Sequence, residues 1–193
     1  MKNKLSILAI LILLVYSSCQ KQDIEKAALE DAPLKSAQTE LKSAHVTKQA
    51  VLNFRAHLSG DQEVHFVETK ATGQATFQLS RDGNTLTYRL IVANIENVRM
   101  AHIHVAPEGY NGPVVAWLYP AGPPPQLISG RFNGVLYTGT ITTDDLVGDL
   151  DPEDGYELAD LVKLMIDGKT YVNVHTLQYG AGEIRGQIFG NVK

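Results

Sequence analysis

The sequence predicts an all-β fold: an antiparallel sandwich or Greek-key barrel of about eight strands, with one or two short capping helices. Two observations support this prediction. From residue 51 onward, apolar and polar residues alternate with the period of two that is typical of half-buried strands. The alternating segments are short and are separated by Gly- and Pro-containing turns at fairly regular intervals, as in sandwiches and Greek-key barrels.

Eight segments of the chain have the strand pattern. In the first, Phe54, Ala56 and Leu58 alternate with polar residues. The second and third segments are joined by a polar stretch that contains Asp82-Gly83, a dipeptide that favours a tight β-hairpin. The predicted strands are residues 51–58, 75–79, 86–92, 98–105, 113–119, 134–141, 170–177 and 183–189.

One helix is predicted where the strand pattern lapses, between residues 142 and 168. The apolar residues there fall at helical spacing after Pro152, and they are Leu158, Leu161, Val162 and Met165. A further short helical turn is expected near Thr142 or Thr143, because a hydroxyl caps free amides and the following Asp144 and Asp145 suit a helix start. We expect these helices to cap one end of the sandwich.

The charge balance argues against nucleic acid as a partner. The chain has 17 Lys and Arg residues against 21 Asp and Glu residues, a formal net charge of -4, so it lacks the basic field that holds a phosphate backbone. Its one cysteine, Cys19, rules out an intrachain disulfide. The stability of the domain must therefore come from its apolar core and its strand hydrogen bonds.

Residues 1–18 are predicted to be a signal peptide. Lys2 and Lys4 give a short basic start, and residues 5–16 form an unbroken run of apolar or small residues. This run is shorter than the roughly 20 residues that a transmembrane helix needs. We therefore expect export and cleavage.

The cleavage region Tyr16-Ser17-Ser18-Cys19 resembles the lipobox of bacterial lipoproteins, which implies a lipid on Cys19 that holds the chain at a membrane. Residues 19–49 are rich in Lys, Glu, Ala, Ser and Gln without a sustained apolar period, and we interpret them as a flexible tether. The expected location is the cell envelope, at the outer membrane or on its periplasmic or surface face. The alternative is a soluble secreted protein with a free thiol.

Three predicted strands have a polar row opposite their apolar row. His102 and His104 lie on one face of their strand, and Asn173 and His175 share a face of another, because alternate residues of a strand point to opposite sides. The last strand adds Glu183 and Arg185 in the same way. If the three strands are neighbours, these six residues share one surface or crevice.

Two interpretations of the polar rows remain open. In one, His102, His104 and His175 bind a single copper or zinc ion, since imidazoles two residues apart on a strand can converge on one metal. In the other, the histidines join Asn173 and a Glu183–Arg185 pair in a hydrogen-bonded network that holds strands and loops together.

Several motifs follow one another in a characteristic order. They are FRAHLSGDQEV at 54–64, ATGQATF at 71–77, AHIH at 101–104, NGPVV at 111–115, YVNVHT at 171–176 and GEIRGQ at 182–187. Together they resemble the CHRD domain, the module named after chordin. The resemblance implies an extracellular β domain over residues 50–190, found in animals within an antagonist of secreted growth factors and in many bacterial exported proteins. It implies no catalytic residues.

The first functional hypothesis is a lipid-tethered module that binds an unknown protein or glycan, and the alternative is a mononuclear copper or zinc site. Tyr110, in a Gly-Tyr-Asn-Gly loop, is the expected surface contact, whereas Trp117 lies within an apolar strand and is expected in the core. The sequence has no Gly-x-Ser-x-Gly motif and no Gly-rich phosphate loop entering a helix, so we predict no enzymatic activity.

Overall fold

Alternating apolar residues build the first hairpin as the sequence predicts. In the computed structural model, which describes residues 53–190, β1 spans Asn53–Ser59 and β2 spans Thr72–Leu79, and the two pair antiparallel. Their inward residues are buried and the residues between them are exposed. The predicted turn between β2 and the next strand is confirmed: Gly83 has a positive φ of 80° there, which glycine adopts without strain.

The prediction of two separate strands over 86–92 and 98–105 is wrong, because both belong to one strand, β3, which spans Leu86–Val105. The polar Asn94-Ile95-Glu96-Asn97 stretch resembles a turn in sequence. In the structure, Asn94 and Asn97 take positive φ values of 56° and 55°, and the pairing register shifts on either side of them. β3 therefore bends at this stretch without ending.

β4 spans Val114–Tyr119, and β5 spans Ile128–Ile141, six residues longer at its start than predicted. Most residues of the added part are exposed; Gly130 lies within it and Gly134 directly follows it, and both have positive φ. Because this segment consists mostly of glycine and polar residues, it lacks the apolar alternation from which the other strands were predicted.

The remaining elements follow the predicted order. Short 3-10 helices span Thr143–Asp145, Gly148–Leu150 and Pro152–Asp154, and α1 spans Leu158–Ile166. The predicted short turn near Thr142 is present, but Asp145 supplies the capping group: the backbone amide and the hydroxyl of Thr142 both donate to its carboxylate at 2.8 Å. β6 spans Thr170–Thr176, and the predicted last strand is divided into β7, Ile184–Gln187, and β8, Phe189–Gly190.

The eight strands form one antiparallel sheet that closes into a barrel, which decides between the two predicted architectures. Along one edge of β3, the first half pairs with β2 and the second half with β6, while β5 and then β4 occupy the other edge. β6 pairs with β7, and β7 and β2 both pair with β1. The ring β1-β2-β3-β6-β7 is thereby complete, and the bend in β3 allows it to close.

The core lies inside this ring. Ile103, Val172 and Ile184 are fully buried on the inner face of β3, β6 and β7, so the residues that alternate with them lie on the outer face. No helix within residues 53–190 is both long and apolar enough to cross a membrane. The predicted signal peptide, Cys19 and the tether lie outside the residues that the structure describes.

Candidate metal centre

The three polar rows predicted from the sequence meet on the outer face of the barrel. β3, β6 and β7 are adjacent strands, and their register places His102 opposite Asn173 and Asn173 opposite Arg185. His104 pairs with Tyr171 in the same register. The condition under which the six polar residues share one region, that the three strands are neighbours, is therefore met.

This face is covered, and it does not form an open surface. The loop of residues 106–113 is bound to β7: Gln187 donates to the carbonyl of Ala106 at 2.9 Å, and Arg185 donates to that of Pro107 at 3.3 Å. The loop of residues 177–183 is bound to β6 through His175 and the Gly180 carbonyl. We call these segments the 106–113 loop and the 177–183 loop.

His102, His104 and His175 form a compact buried cluster. Their exposed fractions are 3%, 8% and 6%, and one ring nitrogen from each lies within 4.8 Å of the other two. The ring centres of His102 and His175 are 5.1 Å apart, and those of His102 and His104 are 5.6 Å apart. The tertiary fold thus brings together the three histidines that the sequence singled out.

Backbone carbonyls set the protonation of two of these rings. Nδ1 of His104 donates to the Gly112 carbonyl at 2.9 Å, and Nδ1 of His175 donates to the Gly180 carbonyl at 3.0 Å. Because a carbonyl can only accept, both rings carry the proton on Nδ1 and have an unprotonated Nε2. Nδ1 of His102 lies 3.2 Å from Nε2 of His175 and donates to it.

Two nitrogens of the cluster have no partner. Nε2 of His102 and Nε2 of His104 are each buried, and neither makes a hydrogen bond. Leaving such a group unsatisfied costs about 1–3 kcal/mol. These two atoms are the part of the cluster that a hydrogen-bonded network does not explain.

The cluster is uncharged at neutral pH. Burial lowers the pKa of His102 to about 3, with the neighbouring His175 and His104 adding to the effect. Burial also lowers the pKa of His175 to about 4, although its bond to Gly180 opposes this. The pKa of His104 is lowered as well, chiefly by burial. Neutral imidazole is the form of histidine that binds metals.

Aromatic rings enclose two of the histidines. Trp117 lies edge-on to His102 with ring centres 4.3 Å apart, and Tyr171 stacks on His104 at 4.8 Å with an interplanar angle of 10°. The prediction that Trp117 belongs to the core is wrong: it is only partly buried, and its ring lies on the histidine face. The register of β3 with β4 places it opposite His102.

Arg185 has partners other than the predicted Glu183. Its guanidinium carbon lies 3.5 Å from the ring centre of Tyr171, and its nitrogens donate to Asn111 and Pro107, both at 3.3 Å. Glu183 instead accepts from the hydroxyl of Thr69 at 2.7 Å. The predicted Glu183–Arg185 pair is therefore wrong, because the 106–113 loop and Tyr171 surround the guanidinium.

Glu63 belongs to this region and was missed as a site residue. It accepts a hydrogen bond from Asn173 at 2.7 Å. Burial raises the pKa of Glu63 to about 7, while Arg185 and the bond from Asn173 act in the opposite direction. Its position within the motif at 54–64 was the available signal, since alternation alone does not show that a loop carboxylate approaches β6.

The other predicted positions are separate from the cluster. Tyr110 is 68% exposed in the 106–113 loop, as expected for a surface contact. His57 and His65 are exposed and lie outside the cluster.

The cluster has the chemistry of a metal site. Three neutral imidazoles converge, two of them are oriented by carbonyls in the way that metal-binding histidines usually are, and two nitrogens lack any other partner. Imidazole ligands suit both copper and zinc.

Comparison with protein families supports the resemblance seen in the motifs. The model of the CHRD domain matches residues 54–188, which is most of the chain and nearly all of the described barrel. No curated protein matches the chain.

Proposed function

Because the chain belongs to the CHRD domain family, we propose that its barrel is an envelope binding module that holds one copper or zinc ion at His102, His104 and His175. The observation that supports this function is the pair of buried, unpartnered Nε2 atoms within a cluster of three neutral imidazoles. A bound ion would satisfy atoms that the protein leaves without hydrogen bonds. The proposal includes no catalytic role.

The surroundings of the cluster support a specific site. The carbonyls of Gly112 and Gly180 hold the rings of His104 and His175 with Nε2 unprotonated, so these two ligands are oriented before an ion arrives. Nε2 of His175 would exchange the hydrogen bond that it accepts from His102 for the ion. Preorganisation of this kind raises affinity because little ordering remains to be done on binding.

Elemental analysis of the full chain, purified without an affinity tag and carrying Cys19→Ser, tests the proposal. We expect near-stoichiometric copper or zinc and a melting temperature that falls when a chelator is added, since an ion that binds only the folded state stabilises it. His102→Gln, His104→Gln and His175→Gln should each lose the ion.

His57→Gln is the matched control, because His57 is exposed and lies outside the cluster. It should keep both the ion and the chelator effect. A chain that contains no metal and shows no chelator effect, even after incubation with copper and zinc, would contradict the metal site.

We also propose that the module is exported, lipid-anchored through Cys19 and able to bind a protein or glycan through Tyr110. The apolar run before Cys19 supports the anchor, and the 68% exposure of Tyr110 supports the contact. Palmitate labelling should label the wild-type chain, and fractionation should find it in the membrane; Cys19→Ser should be neither labelled nor membrane-bound.

Tyr110→Ala should reduce binding to a glycan array or to exported proteins without lowering stability. Unchanged binding would exclude this contact.

A further inference from the structure

We propose that the ion at the three histidines is monovalent copper(I), and that the site discriminates against zinc(II) and copper(II). This inference rests on the proposed metal site and adds the charge and the coordination number of its occupant. Three observations support it: the donors are neutral, the charge beside them is positive, and the free ring nitrogens are closed to solvent.

The donor set leaves the charge of the ion uncompensated. Within residues 53–190, no carboxylate or thiolate joins the three imidazoles in the cluster. The energy of taking an ion out of water scales with the square of its charge, so burial opposes a divalent ion about four times as strongly as a monovalent one. Neutral donors in a buried position therefore favour the lower charge.

A cation, Arg185, is connected to the cluster through the ring of Tyr171. The guanidinium carbon of Arg185 lies over the ring of Tyr171, 3.5 Å from the ring centre, and the same ring stacks on His104. Arg185 is 1% exposed, so water screens it little. The carboxylate of Glu63 is bonded to Asn173 and is not a member of the cluster. Arg185 repels any cation bound at the histidines, and it repels a divalent ion more strongly than a monovalent one.

The enclosure of the site favours three ligands over four. Zinc in a three-histidine site takes a water as its fourth ligand. Here Nε2 of His102 and Nε2 of His104 each expose less than 1 Å², and the rings of Trp117 and Tyr171 lie against these two histidines. Copper(I) has a filled d shell and forms stable three-coordinate complexes, so three imidazoles complete its coordination without water.

An anaerobic titration of the full chain tests this preference. The chain carries Cys19→Ser, because a free thiolate would itself bind copper(I). The chain competes with the chelator bicinchoninate for copper(I), which ascorbate keeps reduced. Silver(I) serves as a redox-inert probe of the same site. Zinc(II) and copper(II) are titrated separately. We expect one copper(I) or silver(I) per chain, bound at least about 100-fold more tightly than zinc(II). X-ray absorption should show three nitrogen ligands and no water.

A substitution that adds a negative charge to the cluster should change its preference between copper(I) and zinc(II). His104→Asp replaces a neutral donor with an anionic one, and we expect it to shift the affinity ratio toward zinc(II) by at least about tenfold. His57→Asp adds the same charge at an exposed position outside the cluster and should leave the ratio unchanged.

The outcomes separate this inference from the proposed function. Zinc(II) binding that equals or exceeds copper(I) binding in the wild-type cluster, or a copper(I) site with a water ligand, overturns the inference and leaves the metal site standing. If none of the four ions binds, both are overturned.

Discussion

Gly112 connects the 106–113 loop to two rings of the candidate metal centre. Its carbonyl accepts from Nδ1 of His104, and its amide donates to the hydroxyl of Tyr171 at 3.2 Å. A Cβ at this position would overlap the backbone carbonyl of Val105. The loop can therefore approach β3 closely enough to orient His104 only because residue 112 has no side chain.

Gly112→Ala is expected to destabilise the barrel by about 1–3 kcal/mol, because backbone atoms must move to admit the methyl group. The same movement should displace the carbonyl that orients His104 and weaken metal binding. Urea unfolding and metal content measure the two effects. Gly122→Ala is the control, since a Cβ there meets nothing within 4 Å, and its stability should change by less than about 0.5 kcal/mol. Equal effects of the two substitutions would contradict this account.

At the scale of the element, β3 is the strand that shapes the barrel. Its first half pairs with β2 and β5, and its second half pairs with β6 and β4. Asn94 and Asn97 lie at the change of partners in left-handed backbone conformations, which asparagine tolerates better than most residues. Asparagine is therefore suited to these two positions in the bend of β3. The bend places the second half of β3, which contains His102 and His104, beside β6.

Asn94→Val is expected to cost about 1–2 kcal/mol or more, because a β-branched residue is strained at positive φ. Asn94→Gly should be close to neutral, since glycine adopts this conformation freely and the Asn94 side chain is exposed. Asn53→Val, at an exposed strand position without positive φ, is the control and should have little effect. Urea unfolding of the three variants measures the ranking, and an Asn94→Val variant as stable as Asn94→Gly would exclude backbone strain as the reason for asparagine.

At the scale of the whole molecule, the buried histidines link folding to pH. An unfolded chain gains protons on histidine near pH 6.5, whereas the folded chain keeps His102 and His175 neutral down to pH values of about 3 and 4. The unfolded state therefore binds more protons below pH 6.5, and acid lowers the free energy of unfolding. Glu63 acts in the opposite direction, because its pKa is raised to about 7 and it stabilises the fold below that pH.

The free energy of unfolding of the metal-free chain is expected to fall as pH decreases from about 6.5 toward 4, since three buried histidines outnumber one carboxyl group. Urea unfolding in a chelator at several pH values measures this slope. His175→Asn should flatten it, and Glu63→Gln should steepen it between pH 7 and 4.5 by removing the opposing contribution. His57→Asn should leave it unchanged, because His57 is exposed. A metal-free chain whose stability does not depend on pH in this range would contradict the buried, neutral assignment of the histidines.

The sequence determined most of the local structure. Alternation with a period of two identified the inward residues of the strands, the Asp82-Gly83 dipeptide identified the hairpin, and apolar residues at helical spacing identified the helix at Leu158–Ile166. All three signals depend on neighbours within a few residues. It also identified His102 and His104 as side chains of one face. The same local rule failed at Asn94 and Asn97, where polar residues mark a bend inside a strand and resemble a loop.

Only the tertiary structure decided how the candidate site is assembled. His175 is 73 residues from its partner His102, and Asn173 is 110 residues from Glu63, so strand order and loop position had to be known before either contact could be recognised. Burial of the polar face, the stacking of Arg185 on Tyr171 and the barrel itself depend on the same long-range pairings. Periodicity in a sequence reports which face a side chain occupies, whereas the identity of what covers that face is set by segments far away along the chain.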